Sequence, residues 1–259
     1  MLNDIELKGK IDKVLQWISD QVRNSGTKGV VIGNSGGKDS ATVIALATKA
    51  LGKENVVTIA MPCNSINKDL EDAKLVAKTF DVKILEIDLS SSYETIRQQM
   101  NQSLNENNMK EISKEADINI KPRLRMTTLY AVAQTLGYLV AGTGNLCERM
   151  VGYTTKYGDS ACDFNPIGDF TVDEVIRIGQ ILGVPSNVIN KAPHDGISEE
   201  TDEEKMGIKY SQIAEYIETG KTDIDVVEKI ENKYKLTKHK RQMPYMFEVG
   251  RKNLLENKM

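Results

Sequence analysis

Cysteine, histidine and proline are scarce in this chain of 259 residues, which holds 3, 2 and 6 of them. Cys63, Cys147 and Cys162 show no CxxC spacing and lie far from any cluster of histidines. A zinc site and a disulfide framework therefore have little support, and the three thiols read as small apolar residues in a reducing compartment. Excess positive charge is missing too: the formal net charge is −3, so no global basic field draws nucleic acid. The run Lys238-His239-Lys240-Arg241 is only locally basic and reads by itself as a solvated helix end. No apolar run approaches bilayer-spanning length, and Met1-Leu2-Asn3-Asp4-Ile5-Glu6 lacks the basic start and apolar stretch of a signal peptide. The expectation is a soluble, cytoplasmic protein without membrane or nucleic-acid partners. Internal repeats and low-complexity linkers are also absent, so residues 1–259 are expected to form one domain with a substantial core.

What is present is alternation. Ile11, Val14, Leu15, Ile18 and Val22 recur at helical spacing and predict an amphipathic helix over about residues 3–24. Apolar segments at 29–34, 56–61, 82–87 and 138–142 read as strands. Helices are predicted between them at 37–51, from an N-cap at Asn67 to Phe80, at 90–105 and at 123–136. Residues 101–122 are polar with few apolar anchors and predict a partly mobile surface excursion, and 145–165 predict a loop region at a site. Thr171-Val172-Asp173-Glu174 has the capping-box form, which starts a helix ending near Leu182-Gly183. Beyond Pro185 the chain reads as mostly helical, with an acidic loop from Glu199 to Glu204. The pattern predicts an α/β fold: a Rossmann-like parallel sheet with right-handed crossovers, helices on both faces and a mostly helical C-terminal part.

The run Ser35-Gly36-Gly37-Lys38-Asp39-Ser40 joins the first strand to the first crossover helix. Such a turn aims backbone N–H groups and the positive end of a helix dipole at one spot, where a phosphate can sit. Asp39 would repel that phosphate unless a divalent cation lay between them. The run is neither a Walker A loop, since Asp39 follows Gly37-Lys38 and Ile32 stands at the first glycine position, nor a GxGxxG fingerprint. A turn that only reverses the chain is the alternative. Ligands of parallel sheets sit beyond the C-terminal strand ends, so this turn and the segment 143–148 are expected to face one crevice.

Ser35-Gly36-Gly37-x-Asp39-Ser40 after a first strand resembles the pyrophosphate loop of the N-type ATP pyrophosphatases. Within that superfamily, four further runs are together similar to NAD synthetase. They are Ile120-Lys121-Pro122-Arg123-Leu124-Arg125-Met126, Gly142-Thr143-Gly144-Asn145-x-x-Glu148, Gly152-Tyr153-Thr154-Thr155-Lys156-Tyr157-Gly158-Asp159 and Asn165-Pro166-Ile167-Gly168-Asp169. The terminal His239-Lys240-Arg241 extends the resemblance, which covers residues from about 10 to 250.

The resemblance implies a carbon–nitrogen ligase that amidates deamido-NAD with ammonia, using ATP and Mg²⁺, through an adenylate, and releases AMP and pyrophosphate. It implies an ATP site at Gly33, Asn34, Ser35, Gly36, Gly37, Lys38, Asp39, Ser40, Thr143 and His194. It assigns deamido-NAD to Arg123, Lys156, Asp159, Asp163, His239 and Lys240, the metal to Asp39 and Glu148, and catalysis to Asp39 and Asp159. It also implies a homodimer in which the dinucleotide site is completed across the interface. On the residues alone, Glu148 reads as a surface carboxylate of a loop, Thr143 equally as a turn hydroxyl, and Lys156 with Asp159 as a polar loop pair. Each histidine reads as a surface residue.

The family usually has a lysine where this chain has Val172, and Lys38 is the expected substitute for its charge. Without an extended region carrying a Cys nucleophile beside Glu and Lys partners, the ammonia-dependent form is expected. The alternatives are another adenylating amidotransferase or a tRNA-thiolating enzyme. Such an RNA enzyme would want cysteines and a basic surface. A nucleotide-binding sensor without chemistry is the third.

Overall fold

The computed structural model describes residues 3–65, 67–191 and 201–247. Four strands, β1 (Val30–Gly33), β2 (Val56–Ala60), β3 (Lys83–Glu86) and β4 (Leu139–Ala141), pair in parallel in the order β3-β2-β1-β4. β1 and β2 are apolar except for Thr58, whose hydroxyl donates to the Lys83 carbonyl at 3.1 Å, and almost wholly buried, as strands covered on both faces must be. β3 closes one edge and is half exposed, with Lys83 and Glu86 outward. The chain runs outward from β1 to β2 and β3 and then returns to the far side of β1 as β4. The reversal of strand order falls between β1 and β4, which is where such sheets open a crevice.

Alternation along β1 assigns the two layers. Val30 and Ile32 pack with α1 (Asp4–Asn24), α2 (Lys38–Leu51), α3 (Asn67–Thr79) and α8 (Val172–Leu182). Val31 faces the opposite core, built with α4 (Ser90–Glu106) and α6 (Ile120–Leu136). A third cluster joins α7 (Leu146–Val151), α10 (Asp202–Met206), α11 (Tyr210–Thr219) and α12 (Ile224–Leu236) around Cys147, with Val172 of α8 as its link to the sheet layers. The α/β class, the parallel sheet and the helical C-terminal part agree with the expectation from sequence. Among the described residues, no helix is long and apolar enough to cross a membrane.

Four expectations are corrected. Residues 101–122 are mainly helical: α4 continues to Glu106, α5 (Lys114–Ile118) follows, and α6 begins at Ile120, leaving 107–113 outside regular structure. Polar side chains fix this stretch where apolar anchors are few. Asn101 Oδ1 accepts from the Ile112 N–H at 3.1 Å, Ser113 Oγ from the Ala116 N–H at 3.2 Å, and the Tyr93 hydroxyl donates to Asp117 at 2.9 Å. Pro122 falls in the first turn of α6, where its missing N–H has no intrahelical partner to lose. In the region 145–165, residues 146–151 form α7, nucleated by a reciprocal capping box between Asn145 and Glu148. The acidic stretch is likewise ordered from Thr201, which caps α10, and residues 199 and 200 lie outside the described ones. Asn67 is the first residue of α3 rather than a cap preceding it. At Thr171 the helix starts as expected but the box forms only in part: the Thr171 N–H donates to Glu174 Oε2 at 2.9 Å, while the buried Thr171 hydroxyl has no hydrogen-bond partner among the described residues.

Close approach of α8 to α2 depends on Gly179. A Cβ there would stand 2.5 Å from Ile189 Cδ1 and 2.6 Å from Thr42 Oγ1. Gly179→Ala is therefore expected to destabilise the protein by about 1–3 kcal/mol through overpacking. That outweighs the gain of about 1 kcal/mol that alanine brings to a helix interior. Urea unfolding measures the difference; a variant as stable as the parent would contradict the packing of α8 on α2.

Candidate active site

The turn after β1 is held from below. Asn34 is buried, donates from Nδ2 to the Ala73 carbonyl at 2.9 Å and accepts the Gly36 N–H on Oδ1 at 3.2 Å. Gly36 has φ +71°, and a Cβ on it would overlap the Asp69 carbonyl oxygen and stand 3.0 Å from Asp72 Cβ. Only glycine can take that conformation against α3 without strain. Gly37 is extended and caps α2 without a side-chain hydrogen bond, so the N–H groups of the first turn face outward for an anion. Ser35 and Ser40 bring their hydroxyls to 3.0 Å from one another across this turn.

One residue joins the two strand ends. Asn145 Nδ2 donates to Asp39 Oδ1 at 3.1 Å, and the Asn145 N–H donates to Glu148 Oε2 at 2.8 Å. Asn145 Oδ1 accepts in turn from the Glu148 N–H at 3.1 Å. Two carboxylates from the ends of β1 and β4 are thereby held in one place. Burial pushes the Glu148 carboxyl well above its ordinary value, and the charge of Asp39 adds to the rise. The Asn145 N–H and Lys38 oppose it. Lys38 Nζ lies 3.7 Å from Asp39 Oδ2 and 6.0 Å from the centroid of the Tyr210 ring. Two hard carboxylate oxygens, with the remaining positions left for water and phosphate, suit Mg²⁺. Among the described residues no third His, Cys, Asp or Glu completes a metal cluster with them.

A cavity of about 580 Å³ opens here, beyond the C-terminal ends of β1 and β4. The turn and the 143–148 segment share this crevice, as their positions after strand ends predict. Gly33, Asn34, Ser35, Gly37, Lys38, Asp39, Ser40, Thr143, Glu148, Asp159 and Lys240 all line it. Asp159 accepts from the Thr154 hydroxyl at 2.6 Å and the Thr155 N–H at 2.8 Å. Lys240 Nζ donates to the Gly152 and Thr154 carbonyls at 2.8 and 2.6 Å, and burial lowers its pKa.

The other sequence-predicted residues that the structure describes stand off the wall. Gly36 faces α3. Arg123 Nε and Nη2 donate to the Lys156 carbonyl at 3.4 and 3.3 Å, and the Lys156 ammonium lies 5.1 Å from the Tyr157 ring centroid. Asp163 accepts from the Val140 N–H at 2.7 Å and from the Tyr130 hydroxyl at 3.3 Å, which ties it to β4 and α6. His239 is exposed in a short 3₁₀ turn, and His194 lies outside the described residues. Val172 is buried in the third cluster and does not reach the cavity.

Sequence reasoning missed four wall residues. Arg125 donates to the Met61 carbonyl at 3.1 Å and to Ser65 Oγ at 3.3 Å. Lys191 bridges Asp69 and Asp72 of α3 at 2.7 Å each. Asp202 accepts from the Tyr153 hydroxyl at 3.0 Å, and Tyr210 lies near both Asp39 and Asp202. Arg125 falls within a motif already singled out; the others carry no local signal, because their partners are distant in sequence.

A family model described as NAD synthase matches residues 10–244. The chain is 40% identical over 251 residues to the NH₃-dependent NAD⁺ synthetase of Alkaliphilus oremlandii, covering 94% of this chain and 98% of that one. Among solved structures, an NMN synthetase from Francisella tularensis superposes with a TM-score of 0.85 at 31% identity, covering 93% of this chain and 98% of its own. An NH₃-dependent NAD synthetase from Campylobacter jejuni, in complex with a nitrate ion, gives a TM-score of 0.77 at 30% identity, covering 93% and 99%.

Raising the Glu148 pKa means that the folded chain favours the protonated carboxyl. Its contribution to stability is therefore present at low pH and lost as pH rises through the raised value. Glu148→Gln keeps an oxygen for the Asn145 N–H and removes the charge. The variant is expected to be more stable than the parent by about 1 kcal/mol at pH 8, with the difference vanishing at acid pH. Thermal unfolding across pH, without nucleotide or divalent metal, tests this; an equal gain at every pH would refute it.

Proposed function

The chain belongs to the NAD synthase family, and from that premise we propose that it makes the amide of deamido-NAD from ammonia at the expense of ATP. The observation that carries the reading is the junction of Asp39, Asn145 and Glu148 beside the glycine turn. It pairs an anion cradle with two carboxylates, which suits a polyphosphate bound through a cation. A carboxylate is a poor electrophile, so it needs a leaving group. Its oxygen attacks the α-phosphorus of ATP, the bond to the β-phosphate oxygen breaks, and pyrophosphate departs with that electron pair. The nitrogen lone pair of ammonia then attacks the carbonyl carbon, the bond to AMP breaks, and one proton is lost.

Ser35, Ser40 and the first-turn N–H groups of α2 hold the departing pyrophosphate. Mg²⁺ between Asp39 and Glu148 would supply charge neutralisation for the polyphosphate. Thr143, on the wall after β4, meets ATP. Asp159, held by Thr154 and Thr155, holds ammonium and accepts its proton, since only neutral ammonia is a nucleophile. Lys240 and Arg123 attract the phosphates of the pyridine substrate. No side-chain nucleophile enters the scheme, and positioning with charge stabilisation does the chemistry.

A second reading has the same chemistry acting on a mononucleotide. It is favoured by Arg123, Lys156 and His239, three of the expected dinucleotide contacts, standing off the cavity wall. A homodimer belongs to the first reading, because a second copy would complete the dinucleotide site. Leu136 of α6 and Ile96 of α4, 44% and 36% exposed, offer apolar area for the contact.

Purified protein with ATP, deamido-NAD and ammonium is expected to yield NAD, AMP and pyrophosphate in equal amounts, and glutamine is expected not to replace ammonium. Nicotinic acid mononucleotide assayed in parallel separates the two readings. Asp39→Asn should lower kcat/KM by roughly 100- to 1,000-fold, as loss of one main electrostatic group does. Tight ATP binding with no turnover on either substrate would favour the sensor. Sedimentation of the intact chain as a monomer under assay conditions would refute the dimer.

A further inference from the structure

Lys38 is the anomalous cation of the cavity. Three others on the wall are committed to hydrogen bonds: Lys191 to Asp69 and Asp72, Arg125 to the Met61 carbonyl and Ser65, and Lys240 to two carbonyls. The Lys38 side chain is only 7% exposed, yet its ammonium makes no hydrogen bond among the described residues. Its partners are Asp39 at 3.7 Å, beyond hydrogen-bond reach, and the face of Tyr210 at 6.0 Å. It also occupies the first position of α2, where the helix dipole disfavours a positive charge. A buried ammonium with three uncommitted donors is costly unless an anion joins it. The cradle beside it is shaped for one. Asp39 is also the carboxylate that would hold a divalent cation, so ammonium and metal ion compete for the same oxygens.

We propose that Lys38 is an exchangeable counter-ion: without nucleotide it neutralises Asp39 against metal, and with nucleotide it yields Asp39 to the metal and binds the polyphosphate. Metal alone must bind against the repulsion of the ammonium. Metal with a polyphosphate meets no such repulsion, because the ammonium has an anion to move to. Each ligand therefore raises the affinity of the other, and the same coupling acts in both directions. A site of this kind resists free metal and closes its electrostatic circuit only when nucleotide and metal arrive together. The inference rests on the reading of the turn as an ATP polyphosphate site.

The test measures binding rather than turnover. Mn²⁺ is titrated by electron paramagnetic resonance into the full-length protein, with and without α,β-methylene-ATP, whose α–β bridge cannot be hydrolysed. Lys38→Met and Lys38→Gln are compared with the parent and with Lys38→Arg, and thermal unfolding identifies which variants are folded. Both neutral variants should bind Mn²⁺ alone more tightly, by about tenfold, and the analogue more weakly by a similar factor, within the usual range for coupled sites. Lys38→Arg should bind Mn²⁺ alone no more tightly than the parent. In a folded neutral variant, unchanged or weaker affinity for Mn²⁺ alone overturns the proposal, and so does unchanged affinity for the analogue. Failure of the parent itself to bind the analogue would instead refute the ATP reading of the turn.

Discussion

Two carboxyl groups are held together where the strand order of the sheet reverses, and Asn145 holds them. Its amide reaches Asp39 and its backbone N–H reaches Glu148, so one residue spans the ends of β1 and β4. Coulomb repulsion between the two half-buried carboxylates opposes that arrangement, and the desolvation of Glu148 raises the energy of its charged state further. The site is thus a place where the fold works against local electrostatics. Its support is the rest of the molecule: a sheet buried on both faces, α2 packed under α8, and the Cys147 cluster that fixes α7. Two carboxyl groups held under electrostatic load, one of them with a raised pKa, mark the crevice as a candidate functional site.

The backbone carries the same logic. Gly36 adopts a left-handed conformation because the main chain of α3 passes directly behind it, and Asn34 ties the turn to that helix. Lys191 and Asn187 in turn hold Asp72 near the start of α3, so the turn stands on a hydrogen-bonded base that reaches to α9 (Ser186–Ile189). Rigid support matters because an anion cradle works only if its N–H groups are aimed before the anion arrives.

Much of this was legible in the sequence, for identifiable reasons. The strands and long helices declare themselves by apolar runs and helical spacing, as in Ile11, Ile18 and Val22, all of which are buried. The glycine turn declares itself by composition at a strand–helix junction. Short helices do not announce themselves in this way. α5 and α7 are too brief to show periodicity, and they are specified by capping bonds from Ser113 and Asn145. The Asn145-x-x-Glu148 spacing was nevertheless the form of a capping box, so the helix under the acidic pair had a readable signal. Lys191 and its partners had none, since nothing local links residue 191 to residues 69 and 72.

Val172 and Lys38 show how a charge and an apolar contact can be separated. Both stand at the first position of a helix, α8 and α2. A lysine at position 172, which the sequence resemblance leads one to expect, would have to leave the cluster of Cys147, Val151 and Met206 that Val172 helps to fill. Valine there strengthens the joint between α8 and the C-terminal helices, a gain in buried apolar area. The cation beside Asp39 stands instead on α2, one residue before that carboxylate. Attachment to the turn itself keeps the positive charge beside the carboxylate at 3.7 Å, so its position is set by the cradle rather than by the docking of α8. A charge placed that way follows the turn through any movement of the C-terminal cluster.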